Sequence, residues 1–128
     1  MNFVTIKERR MPESCISAFR MTNQGVTING YLEVRIYNKI EFIYFESPES
    51  MRETYDYLTD RLPGFVKIGE WNLRKKDVRE YKRVFRPSES LYYIEVKVPY
   101  MNSIKLRFAS EERLNEAVME MDERFNVK

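Results

Sequence analysis

Histidine is absent from this 128-residue chain. Without an imidazole there is no Ser-His-Asp or Cys-His nucleophile pair, no histidine proton shuttle and no HExxH zinc site. Cysteine occurs once, as Cys15, too few for an intrachain disulfide or a four-cysteine metal cage. The four glycines, Gly25, Gly30, Gly64 and Gly69, are too scattered for a GxGxxG turn, and there is no Walker-type phosphate loop. No DxD-type carboxylate cluster marks a Mg2+ site, and no apolar run approaches the roughly 18 residues of a membrane span. These absences favour binding over catalysis and lead us to expect no catalytic residues, no metal and no cofactor.

What is present is charge and aromatic surface. Lys and Arg number 22 against 20 Asp and Glu, a net of +2, with 9 Tyr, 8 Phe and 1 Trp. An apolar content of 43% suffices for a core, and 33% charged residues suit a solvated surface. The length fits one compact domain over residues 1–128. The N-terminal residues alternate apolar and polar, unlike a signal peptide, and the lone thiol suits a reducing compartment, so a cytoplasmic location is expected. Cys15 opens a strand-like run to Phe19 and reads as a small buried residue.

An internal repeat organises the chain. At an offset of 63, Ile43, Phe45, Ser47, Met51, Leu58 and Leu62 fall on Leu106, Phe108, Ser110, Leu114, Met121 and Phe125. At an offset of 62, Leu32–Ile36 falls on Ile94–Val98. The expected fold is α+β, an antiparallel sheet with two pseudo-equivalent βββα halves at about 15–62 and 81–125. Two main helices, at about 47–62 and 110–125, pack on the sheet, with Ser47 and Ser110 as N-caps and Pro48 at a first helical position. Asn29-Gly30, Asn38-Lys39 and Met101-Asn102-Ser103 are expected turns, and Phe65–Ile68 a short strand.

The near-neutral total conceals a separation of charge. Between Trp71 and Arg86 seven cations meet two acids, a local net of +5, and both helices are acidic. Arg74, Lys75, Arg79, Lys82 and Arg86, with Trp71 among them, have the chemistry to hold a phosphate and stack on a base. Period-two alternation turns Leu32, Val34 and Ile36 towards the helices. Tyr31, Glu33, Arg35 and Tyr37 then face away, with Phe42 and Tyr44. In the second half, Tyr93, Glu95, Lys97, Lys105 and Arg107 are expected on the outward face. Glu33 and Glu95 lie two residues before Arg35 and Lys97, which points to structural ion pairs across strands and away from acid/base catalysis.

The strand, strand, strand, helix order, with Phe45-Glu46-Ser47-Pro48-Glu49 at the junction and Tyr55-Asp56 in the helix, resembles in layout the arm-binding domains of some phage integrases. That resemblance implies a sheet face turned to DNA. The strand tryptophans and strongly basic sheet of such modules are missing here, so it extends to topology alone and assigns no family. The expected function is capture of an anionic nucleotide-type ligand, a small nucleotide in preference to a nucleic acid, because +2 attracts a polyanion only weakly. The candidate ligand-binding residues are Arg35, Tyr37, Tyr44, Trp71, Arg74, Lys75, Arg79, Lys82, Arg86, Lys97, Lys105 and Arg107. The alternative is an interaction or inhibitor module that docks a partner protein through exposed aromatics. A homo-oligomer is expected under either reading.

Overall fold

A computed structural model describes residues 2–22, 30–37, 39–99 and 103–128. Among these residues alternating side chains build ten strands: β1 (Phe3–Ile6), β2 (Arg9–Pro12), β3 (Ile16–Met21), β4 (Tyr31–Ile36), β5 (Lys39–Tyr44), β6 (Phe65–Ile68), β7 (Trp71–Arg74), β8 (Glu80–Arg86), β9 (Leu91–Lys97) and β10 (Ile104–Arg107). All pair antiparallel, in a β1-β2 hairpin, a five-stranded sheet ordered β5-β4-β3-β7-β6 and a three-stranded sheet ordered β10-β9-β8. With helices α1 (Pro48–Arg61) and α2 (Glu111–Arg124) the fold is α+β, as the sequence implied. A three-strand meander precedes each helix, but the meanders lie in separate sheets and only the first is extended by β7 and β6. The expected turns at Asn29-Gly30, Asn38-Lys39 and Met101-Asn102-Ser103 lie wholly or partly outside the described residues.

Both helices start as their sequences dictate. Ser47 Oγ accepts from the Ser50 amide at 3.1 Å, and Ser110 Oγ from the Arg113 amide at 3.2 Å. Such a cap is worth about 1 kcal/mol to a helix. Met51, Tyr55 and Leu58 bury one stripe of α1, and Leu114, Ala117 and Met121 one stripe of α2.

A bulge in β3 decides what each stripe meets. Ile16 pairs with Ile36 but Ala18 with Arg35, so Ser17 is the extra residue. That shift lets Ile16 and Phe19 enter one core while Ala18 enters the other. The first core lies beneath α1 and the β1-β2 hairpin, with Val4, Ile6, Leu32, Val34 and Leu58. The second joins Ile68, Trp71 and Leu73 of β6 and β7 to Ile94, Val96, Ile104 and Leu106 of the small sheet and to α2. On the α1 side of β7, Asn72 donates to the Tyr55 hydroxyl at 2.9 Å, and Arg74 Nε donates to the Ile16 carbonyl at 3.0 Å. Most buried donors in folded proteins have a partner of this kind.

Three expectations need correction. Cys15 is buried as expected, but it ends a short 3-10 turn, Glu13–Cys15, ahead of the strand; burial raises its thiol pKa. Glu33 and Arg35 do face away from α1, yet each is only 6% exposed, because β10 lies beyond that face. Tyr93 is buried too, with the Lys105 ammonium and the Arg107 guanidinium over its ring at 5.3 and 5.8 Å.

Tyr81 ties β8 to α2 by donating to Asp122 at 2.8 Å. Burial, this hydrogen bond and the Asp122 charge push its pKa up to about 12. The folded state therefore favours the neutral phenol, and that contribution is complete below the unfolded value of about 10. It is lost as the pH climbs from there to about 12. Tyr81→Phe is expected to flatten the fall of melting temperature across this alkaline window, and an equally steep fall in the variant would contradict the assignment.

Candidate anion-binding site

The far face of the five-stranded sheet sets three charged side chains among apolar ones along two rows. Cross-strand pairing places Phe42, Glu33, Arg20 and Trp71 side by side from β5 to β7, and Ile40, Arg35, Ala18 and Leu73 in the adjacent row. At about 4.8 Å per strand, each row spans roughly 14 Å. Glu33 sits between two cations: its Oε1 accepts from Arg20 Nε at 2.9 Å and its Oε2 from Arg35 Nη2 at 3.2 Å. Arg20 Nη1 also donates to Glu70 at 3.0 Å. Both guanidinium groups lie 5.4 Å from the centre of the Trp71 ring. The indole thus holds arginines and is not an open platform for a base.

Arg35 is the unusual member. Its side chain is 8% exposed, yet Nε and Nη1 are buried without a hydrogen-bond partner among the described residues. Burial lowers its pKa from the ordinary guanidinium value, with Glu33 opposing and Arg20 adding to that shift. An orphaned charged donor at this depth is costly unless something else completes its shell.

Beside it opens a cavity of about 280 Å³ between this face and β10, lined by Arg20, Glu33, Arg35, Glu70, Trp71, Ser103, Lys105, Arg107 and Phe108 with Ile68 and Leu106. Arg20 and Arg35 reach it with Glu33 and Glu70, whereas Lys105 and Arg107 alternate with the buried Ile104 and Leu106 and so turn their charged ends to the other face of β10. There they lie over the Tyr93 ring and make no ion pair among the described residues. A wider hollow of about 840 Å³ shares Glu70, Arg107 and Phe108 and adds Lys67 and Arg113. Along β4 and β5 the same face turns aromatic: Tyr31 meets Phe42 and Tyr44, each at 5.3 Å between ring centres.

Four of the twelve expected ligand-binding residues, Arg35, Trp71, Lys105 and Arg107, line this cavity, the last two from its rim. Tyr44 stands in the aromatic strip beside it, and Tyr37 is exposed at the end of β4 with a φ of 55°. The basic run does not form one surface. Arg74 is buried on the opposite face, bonded to the carbonyls of Glu13 and Ile16, and with Lys75 it lines a separate hollow beside Phe65 and Phe125. Lys82 and Arg86 pair with Glu95 and Glu89, Lys97 pairs with Glu80, and Arg79 is exposed before β8. Strand alternation, and the passage from one sheet to the other at Lys75–Asp77, scatter cations that are neighbours in sequence. Glu33 and Glu95 do hold cations across strands, as their spacing suggested.

Sequence reasoning missed Arg20, Glu70 and Phe108. Arg20 reaches this face opposite Phe19, in the regular part of β3 beyond the bulge at Ser17. Glu70 is carried in by the β6-β7 turn, where Gly69 adopts a φ of +61° and a Cβ would come within 3.1 Å of the Phe108 ring. Comparison with known proteins returns no match: no family model, no curated protein and no solved structure is significantly similar to the chain.

Proposed function

We propose that the chain is a non-catalytic binding protein for an anionic, nucleotide-type ligand. The ligand's phosphate lies in the cavity beside Arg20 and Arg35, with Lys105 and Arg107 on the β10 rim. The observation that carries this reading is the buried Arg35 guanidinium beside the cavity, two of whose nitrogens have no hydrogen-bond partner among the described residues. Arginine forks and a lysine point charge suit a phosphate, and the exposed rings of Phe42 and Tyr44 offer a stacking surface a few strands away. The cavity's size favours a small ligand over a polymer, as does a net charge of +2. Binding is preferred to catalysis because Glu33, the carboxylate deepest in the site, is held by two arginines and is poorly placed to move a proton.

Thermal shift and calorimetry with inorganic phosphate, pyrophosphate and a panel of nucleoside phosphates test the reading. At least one nucleotide is expected to raise the melting temperature of the native chain. The double variant Lys105→Glu/Arg107→Glu should weaken that shift by withdrawing positive charge from the rim, with little change in the ligand-free melting temperature, since both side chains are exposed. A flat response across the whole panel would sink the proposal. The second reading, a module that docks a partner protein, is favoured by Tyr37, Phe42 and Tyr44, which are 62%, 51% and 58% exposed.

A further inference from the structure

We propose that two copies of the chain associate through β5, edge to edge and antiparallel about a two-fold axis at Phe42. The two five-stranded sheets then become one continuous sheet.

The outer side of β5 has no strand beside it among the described residues, so its backbone N–H and C=O groups on that side lack a ladder. Sheet edges of this kind pair with other strands unless something blunts them. The other edges of the two larger sheets are blunted. Strand β8 carries Glu80, Lys82, Arg83 and Arg86, β10 alternates Lys105 and Arg107, and β6 is only four residues long. Strand β5 has neither proline nor glycine, and it pairs with β4 without a break in register. Its far face presents Ile40, Phe42 and Tyr44 at 44%, 51% and 58% exposure, a run without charge.

The occupant follows from the pattern of the strand itself. An antiparallel edge is complementary to its own copy under a two-fold axis, because each strand offers the same row of donors and acceptors in reverse. With the axis at Phe42, that ring meets its counterpart, and Ile40 lies opposite the second copy's Tyr44 on the same face. Such aromatic and branched cross-strand pairs stabilise a sheet. Glu41 then meets Ile43, and its charge is already neutralised by Arg9, whose Nη2 donates at 3.0 Å. Centring the axis on Glu41 would set two carboxylates against each other, which disfavours that register. With Arg9 counted, Lys39 and Glu41 leave a surplus of one cation at this edge, too little charge for a strongly acidic or basic partner strand to suit it better than a second copy. The proposal does not depend on any ligand.

Light scattering and sedimentation of the ligand-free chain decide it. The expected particle has twice the 15.6 kDa chain mass. Phe42→Glu places two carboxylates on the axis and is expected to give the single-chain mass with an unchanged circular dichroism spectrum, since the ring is half exposed. Phe85→Glu, on the β8 edge, is expected to leave the doubled mass intact. A single-chain mass for the native protein up to its solubility limit overturns the proposal. So does a doubled mass that survives Phe42→Glu, or one that Phe85→Glu abolishes.

Discussion

Glu33→Gln is expected to cost about 3–5 kcal/mol of folding stability, the range found when one partner of a buried ion pair is removed. Glu33 is the shared counter-ion of Arg20 and Arg35, and its side chain and that of Arg35 are each 8% exposed. The glutamine keeps the volume but withdraws the charge, so two guanidinium groups against one indole are left with only Glu70, which reaches Arg20 but not Arg35. Urea unfolding gives the loss directly. If an anion site exists here, phosphate should restore more stability to this variant than to the native chain, because ligand that binds only the folded state stabilises by mass action. A variant as stable as the native chain would show that Arg35 does not need its carboxylate.

Phe19→Ala is expected to lower stability by a similar ~3–5 kcal/mol through transfer and cavity terms together. The ring is fully buried, and it meets Tyr55 at 5.7 Å and Phe65 at 5.6 Å between centres. It thereby joins the central strand to α1 and to the edge strand β6. Against a typical total of about 5–15 kcal/mol, that is a large share of the fold. Met119→Ala, at a residue 72% exposed on α2, provides the control and should stay within about 0.5 kcal/mol of the native value. A small effect at Phe19 would mean that the neighbouring rings close over the gap.

Local chemistry made the helices and the faces of β4 and β5 readable. Ser47 and Ser110 cap where their side chains say they should, and Leu32, Val34 and Ile36 point to α1 by simple alternation. Less could be read where partners are distant in sequence. Strand β7 hides inside the basic run because its polar residues, Asn72 and Arg74, are buried on bonds to Tyr55, Glu13 and Ile16. A run of cations reads as a surface when those partners are unknown. The cavity draws on β3, β4, β7 and β10, so no continuous segment carries its signature. Arg35, Lys105 and Arg107 could be named from strand alternation alone, but their convergence depends on how the two sheets meet.

The chain holds a single tryptophan, and it stands in the wall of that cavity with two guanidinium groups near its ring. An indole's emission responds to the charges around it, so any anion that draws Arg20 or Arg35 away changes the light from Trp71. No second indole dilutes the change. The molecule therefore carries its own unlabelled gauge of whether the site is filled, and occupancy can be followed in the native chain by fluorescence alone.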